Sequence, residues 1–178
     1  MTKLAFRYFM DYEKEEKWLN EMESRGYHFL RYCFLFYIFT IGEPNTYTYR
    51  IELLENMTTN NESRSYLDFL ADTDIEHVAS WARWVYLRKE KEKGSFDLFT
   101  DLDSKLKHFR RIFFLQLGLA PLLFVNFINL MNMTLNEGGV FLKIVDALYV
   151  LLLFFFIIYG SKTYLKIKKI RKHMKLHE

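Results

Sequence analysis

Two long apolar segments in the second half of the chain constrain its fold more than any other feature. They cover residues 112–133 and 140–159, and only the short stretch 134–139 separates them. A helix of roughly 20 apolar residues can cross a hydrocarbon core about 30 Å thick, so each segment is long enough to span a bilayer. The sequence therefore predicts a transmembrane helical hairpin over residues 112–160.

Lysine and arginine flank this hairpin at its two chain ends. Lys105, Lys107, Arg110 and Arg111 precede the first segment and residues 162–175 contain seven more, whereas the connecting loop contains none. Because positive residues are retained on the cytoplasmic side, we expect both chain ends in the cytoplasm and the loop outside. The sequence predicts a protein of the cytoplasmic membrane with two spans.

Charge is divided unevenly along the chain. Residues 1–104 carry 13 Lys and Arg against 19 Asp and Glu, whereas residues 105–178 carry 12 against 3. An acidic module is a poor match for the phosphates of DNA or RNA, so we expect no direct nucleic-acid binding. The basic tail, residues 161–178, is expected to lie on anionic membrane lipid. Docking of an acidic protein partner to the tail is the alternative.

The predicted organisation follows from these segments. A cytosolic α+β domain covers residues 1–93, a linker and juxtamembrane helix 94–111, the transmembrane hairpin 112–160 and the basic tail 161–178. The N-terminal segment has no apolar core of the kind found in secretory signals, which places the domain in the cytosol. The single cysteine, Cys33, stands among aromatic and aliphatic neighbours, which predicts a small buried side chain.

Within the domain, apolar periodicity predicts the elements. Residues 3–10 alternate as a half-buried strand, Asp11 opens a helix over 12–25, and Gly26 is placed as its C-cap. A strand over 27–41, a turn and a strand over 46–54 are predicted to form a β-hairpin. The remaining predicted elements are a helix at 63–71 and short strands at 76–80 and 83–88. The order β-α-β-β-α-β-β predicts a ferredoxin-like antiparallel sheet covered by two helices, with one extra strand.

Several blocks of the domain resemble one family. The blocks are Phe6-Arg7-Tyr8-Phe9, Asp11-Tyr12-Glu13-Lys14, Glu15-Glu16-Lys17-Trp18-Leu19-Asn20-Glu21-Met22, Gly26-Tyr27, Tyr47-Thr48-Tyr49-Arg50-Ile51, Tyr86-Leu87-Arg88-Lys89 and Leu98-Phe99-Thr100-Asp101 through Ser104-Lys105. Together they make residues 3–107 similar to the bacterial domain-of-unknown-function family 2812, DUF2812. The most specific part is Glu-Glu-Lys-Trp-Leu-Asn. The chain departs from the family pattern at Thr73-Asp74, where many members have Gly-Trp.

The resemblance implies a domain facing the bacterial cytoplasm and followed by membrane helices. Members are often encoded beside a PadR-like transcriptional regulator, which implies a regulatory partnership. The resemblance carries over no activity, cofactor or catalytic residue.

The first candidate site is on the first predicted helix. Glu15, Glu16 and Trp18 form a candidate partner-binding site, since a tryptophan on an acidic helix can be an interaction hot spot. The alternative is that Trp18 belongs to the buried face of the helix together with Leu19 and Met22.

The second candidate site is a polar cluster within the apolar segments. Asn126 and Asn129 in the first segment are expected at the same depth as Lys143 and Asp146 in the second. Ionisable groups in a span normally face a partner, so we expect the four to approach one another. They form either a functional site or an interhelical clamp, with Lys143 reaching the outer interface.

The motifs of catalysis and of metal or cofactor binding are not apparent in the sequence. We therefore expect a non-catalytic, membrane-anchored regulatory protein that needs no cofactor. It is expected to bind a protein partner, and the sequence leaves open whether the chain forms oligomers. The alternatives are an accessory subunit of a membrane transport complex and an enzyme at the inner membrane face.

Overall fold

The computed structural model describes residues 2–33, 35–98 and 102–174. The chain divides into two compact units, residues 1–100 and residues 101–178. The described elements of the first unit are β1 (Thr2–Phe6), α1 (Tyr12–Glu23), β2 (Tyr27–Cys33), β3 (Phe36–Ile41), β4 (Tyr47–Leu53), α2 (Asn61–Ala71), β5 (Glu76–Trp81), β6 (Trp84–Glu90) and a 3-10 turn at Lys91–Lys93. Residues 99–101 of the last family block and residues 175–178 of the tail lie outside the described residues.

The first unit uses one topology twice. The strands of β1-α1-β2-β3 form a first sheet in the order β1-β3-β2, and those of β4-α2-β5-β6 form a second sheet in the order β4-β6-β5. All strand pairs are antiparallel, and in each half the third strand lies between the other two. The predicted α+β class is confirmed. The ferredoxin-like description is approximate, because the strands form two three-stranded sheets.

Helix α1 begins at Tyr12 as predicted, but it ends at Glu23 with Ser24 as its C-cap, two residues before the predicted end and the predicted cap Gly26. The Asp11 side chain accepts a hydrogen bond from the backbone N–H of Glu13 at 3.1 Å, which satisfies one free donor of the first turn. Beyond the helix, Gly26 has φ +78, and a Cβ there would lie 2.7 Å from the carbonyl oxygen of Gly42. Only glycine fits both the left-handed backbone and this close approach.

The predicted hairpin between residues 27–41 and 46–54 is wrong. Residues 27–41 contain two strands, β2 and β3, which pair with each other, whereas β4 pairs with β6 of the second sheet. The chain reverses between β2 and β3 near Leu35, which has φ 71. Glycine, proline, asparagine and aspartate are missing from this turn, so the apolar pattern continued across it without a break signal.

Two apolar clusters hold the first unit together. The cluster around α1 contains Trp18, Leu19, Met22, Phe29, Tyr37, Phe39, Tyr49, Ile51 and Tyr86, from α1 and both sheets. The cluster beneath α2 contains Leu54, Leu70, Val85, Leu87 and Phe96. The second sheet is therefore buried on both faces, by α1 on one and by α2 on the other. The first sheet has only one face in these clusters.

The second unit is a helical hairpin. Its helices are α3 (Leu102–Glu137) and α4 (Val140–Met174), and they turn at Gly138 and Gly139. Both helices are long and apolar enough to cross a membrane. Helix α3 starts before the first apolar segment, as predicted for a juxtamembrane helix, and α4 continues through the described part of the basic tail.

Candidate functional site

Glu15 connects the two halves of the first unit. It lies on the inner face of α1, where its side chain is buried. Its Oε1 accepts hydrogen bonds from the hydroxyl of Tyr37 on β3 at 2.7 Å and from the hydroxyl of Tyr86 on β6 at 2.6 Å. Burial raises the pKa of Glu15, and the two tyrosine hydrogen bonds oppose that rise.

A second group of polar side chains on α1 covers the free edge of β4. Strand β4 is at the end of its sheet, so its outer N–H and C=O groups have no neighbouring strand. Glu16 accepts from the N–H of Ile51 at 3.0 Å, and Asn20 both accepts from the N–H of Tyr49 at 2.9 Å and donates to its C=O at 3.0 Å.

Glu23 continues this row. Its Oε1 accepts hydrogen bonds from the backbone N–H of Tyr47 at 3.0 Å and of Thr46 at 3.1 Å. We call Glu16, Asn20 and Glu23 the edge ladder. The spacing fits because four helical residues rise about 6 Å, close to the roughly 6.8 Å of two strand residues.

The predicted partner-binding residues lie inside this arrangement. Trp18 is only 8% exposed, and its ring packs edge-on against Tyr37 at a centroid distance of 4.8 Å. Glu15 bonds to the tyrosines, while Glu16 is half-buried against β4 and paired with Arg50 at 3.3 Å. These contacts favour the alternative interpretation, in which all three residues support the fold. Partner binding through them stays a prediction.

The first sheet has an uncovered apolar surface. Leu4 pairs in register with Ile38, and Phe6 with Phe36, so the four side chains lie on one face, which we call the outer face. Leu4 is 62% exposed and Phe6 67%, and the rings of Phe6 and Phe36 lie 5.4 Å apart. Cys33 pairs with Phe36 and is exposed, so its predicted burial is wrong. Its register partner Phe36 is also exposed.

The predicted polar cluster of the hairpin is not joined by direct contacts. Asn126, Asn129 and Lys143 are exposed, and Asp146 is partly buried. Within the described parts of the chain, no hydrogen bond or ion pair links any two of these four. The Asn126 amide instead donates to the carbonyl of Leu122 in its own helix at 2.9 Å, which satisfies it locally. Association of the four residues in a bilayer stays a prediction.

Another residue makes the polar contact between the helices. The hydroxyl of Tyr149 on α4 donates to the backbone carbonyl of Leu123 on α3 at 3.0 Å. The Tyr149 ring also stacks on Phe127, with centroids 6.3 Å apart. Tyrosine was missed as a polar link because it counts as an apolar residue in a hydropathy pattern.

Among the described residues, no group of three or more His, Cys, Asp and Glu side chains is placed so that it could hold a metal ion. The buried carboxylates of α1 already accept hydrogen bonds from tyrosine hydroxyls or from backbone N–H groups. The observed role of these carboxylates is therefore to make hydrogen bonds within the fold.

Comparison with protein-family models identifies the family. The model described as "Protein of unknown function (DUF2812)" matches residues 11–120, well over half of the chain. The chain belongs to the DUF2812 family. Comparisons with curated proteins and with solved structures find no match.

The structure explains the residue types of the block from Glu15 to Asn20, which lies within the matched region. In the stretch from Glu15 to Asn20, Trp18 and Leu19 enter the core while Glu15 binds the tyrosines. Glu16 and Asn20 bond to β4, and only Lys17 is exposed. Each of the five inward residues therefore has a structural contact.

The edge ladder and the outer face are not predicted by the sequence. The sequence pattern gives no reason to place Asn20 or Glu23 against a strand edge, because polar residues on a helix normally face water. The i, i+4, i+7 spacing of residues 16, 20 and 23 was the available signal, but it indicates one helical face without naming what that face contacts.

Proposed function

We propose that this DUF2812 protein is a membrane-anchored, non-catalytic interaction protein. In this proposal, α3 and α4 span the cytoplasmic membrane with both chain ends in the cytoplasm, and the first unit binds a protein partner on the cytoplasmic side. The outer face of the first sheet is the docking surface. Its exposed, adjacent apolar side chains are the observation on which the proposal depends.

The contrast between the two sheets supports this choice of surface. The corresponding layers of the second sheet are buried against helices on both faces. On the first sheet, Leu4 and Phe6 instead expose most of their area to water. Contiguous apolar surface of this kind marks sites of protein interaction in soluble domains. Strand β1 is also an edge strand, so its free backbone groups are open to strand addition by a partner.

A PadR-like transcriptional regulator is the first partner to test, because the family resemblance implies a regulatory association. Tethering such a regulator at the membrane would keep it from its operator. The alternative function is an accessory subunit of a membrane transport complex. In that case the partner would contact the apolar surface of α3 and α4, where Phe114 and Phe154 are largely exposed.

The test is cross-linking in cells followed by purification of the full-length protein and mass spectrometry of what remains attached. Phe6→Asp is the test variant, because it places a charge on the outer face. Phe69→Asp is the matched control, since Phe69 on α2 is 61% exposed, close to the 67% of Phe6. We expect Phe6→Asp to lose the partner and Phe69→Asp to retain it. Equal recovery of the partner with both variants would refute docking at the outer face.

The single cysteine offers an independent readout. Cys33 is exposed and neighbours Phe36 in the β2–β3 register. A bound partner should slow the alkylation of Cys33 in native membranes relative to the purified protein. If alkylation is equally fast but membrane partners are still recovered, the accessory-subunit alternative is favoured.

A further inference from the structure

A groove runs along one side of the α3–α4 hairpin. It has a volume of about 450 Å³, which is within the range of small-molecule sites. Leu117 and Ala120 line it from α3, and Phe156 and Ile157 line it from α4. The lining is almost entirely apolar, as the binding of a hydrocarbon chain requires.

One polar side chain lies in the wall of this groove. Gln116 is 9% exposed, and neither its amide nitrogen nor its amide oxygen has a hydrogen-bond partner among the described residues. A buried amide without partners is costly in an apolar setting. Gly160 on α4 faces it, because a Cβ there would lie 4.0 Å from Gln116 Oε1. The terminal torsion of glutamine is broad, so the amide can turn toward a ligand in the groove.

The groove leads to positive charge. On α4 its lining includes Tyr164 and Leu165, and the same helical face continues to Lys168 and Lys169 one turn later. On α3, Arg110 precedes the groove residue Phe113 by three positions. These three basic residues are exposed. An apolar groove, an unpaired amide and a basic end therefore follow one another along the hairpin.

We propose that this groove binds one anionic phospholipid of the inner leaflet. One acyl chain fills the apolar section, the Gln116 amide bonds to an ester group, and Lys168, Lys169 and Arg110 attract the phosphate. Charge favours a lipid over a second hairpin in this groove, because a second copy would bring the same basic residues with it. The inference rests on the membrane placement of α3 and α4 in the proposed function, but not on the protein partner.

The experiment measures lipid bound to the full-length protein. The protein is reconstituted in nanodiscs with equal amounts of phosphatidylglycerol and phosphatidylcholine, extracted in mild detergent and analysed by native mass spectrometry. Gly160→Leu fills the groove, and Gly118→Leu is its control because a Cβ at Gly118 meets nothing within 4 Å. Lys168→Gln with Lys169→Gln removes the basic end, and Lys105→Gln at an exposed position of α3 is the charge control.

We expect one retained phosphatidylglycerol on the wild type and on both controls. Gly160→Leu should lose it, and the double lysine variant should lose about tenfold or more of the preference over phosphatidylcholine. Equal retention by Gly160→Leu and Gly118→Leu would overturn the groove as the site, as would a wild type without lipid preference. Loss of a dimer rather than of lipid in Gly160→Leu would identify a second hairpin as the occupant and would also overturn the proposal.

Two further readouts separate this proposal from the proposed function. Recovery of the protein outside the membrane fraction of cells would refute the anchor itself. Cross-linking of the protein partner to Gly160→Leu at the wild-type level, together with loss of lipid, would show that the two sites are independent.

Discussion

The hydrogen bonds of Asn20 in the edge ladder allow the loss of stability on its substitution to be predicted. Its side chain forms the same pair of hydrogen bonds with Tyr49 that a neighbouring strand would form, and Tyr49 is fully buried. Asn20→Ala removes both bonds and leaves the N–H of Tyr49 without a partner, whereas its C=O still accepts a hydrogen bond from Arg50 at 3.2 Å. Each buried group left unpaired costs about 1–3 kcal/mol. With one such group, we expect the free energy of unfolding to fall by about 1–3 kcal/mol.

Tryptophan fluorescence can measure this change in the full-length protein. All three tryptophans, Trp18, Trp81 and Trp84, are in the first unit, so the signal during urea unfolding in mild detergent reports that unit. With a urea dependence of about 2 kcal/mol per M, the midpoint should fall by about 0.5–1.5 M.

The control for this experiment is Asn61→Ala, at an exposed position in the first turn of α2. It should change the free energy of unfolding by less than about 0.5 kcal/mol. A loss below about 0.5 kcal/mol for Asn20→Ala would refute the argument, because the edge of β4 would then be satisfied by water equally well.

Three further predictions use the same fluorescence signal or the stability of the hairpin. Burial raises the pKa of Glu15 in the folded state above the ordinary value of 4.5, so the folded state binds the Glu15 proton more tightly than the unfolded state does. The stability that this proton contributes is lost as pH rises from about 4.5 through the raised pKa. Glu15→Gln, which keeps an acceptor for both tyrosines, should therefore gain stability relative to the wild type over that pH range; a pH-independent difference in urea midpoint would contradict it. Leu19→Ala should lower the free energy of unfolding by about 2–5 kcal/mol because Leu19 is fully buried, whereas Leu4→Ala on the outer face should have little effect. Tyr149→Phe should weaken the α3–α4 hairpin by about 0.6 kcal/mol, detected as faster helix separation under steric trapping, and an unchanged rate would show that the bond to Leu123 contributes nothing.

Local patterns were sufficient where one element decides its own structure. The length and apolarity of residues 112–133 and 140–159 predicted the helical hairpin, and Asp11 and Gly26 predicted the ends of α1 to within a few residues. The helix ends depend on capping residues close by in the sequence, and the hairpin depends on whether a segment is apolar over a membrane-spanning length. Both features can therefore be predicted from the sequence without knowledge of the tertiary fold.

Pairing between distant elements could not be predicted in the same way. The reversal at Leu35 has no turn residue, so one long strand was predicted where β2 and β3 form a hairpin. Asn20 and Cys33 show the same limit for side chains. Whether a polar residue meets a strand edge, or an apolar one meets water, depends on which layers the tertiary fold brings together.

The repeated strand-helix-strand-strand topology has a consequence for how the first unit holds together. Over the part of the chain that the structure describes, its halves share no strand pairing, and the chain passes from one to the other at the turn between β3 and β4. Helix α1, the Glu15 carboxylate and aromatic contacts such as Phe29 with Tyr86 join the halves through space. They meet as two subunits of a dimer would, with the linker making the association intramolecular. A chain cut at that turn is thus a natural split protein, and its two fragments should find each other again when expressed together.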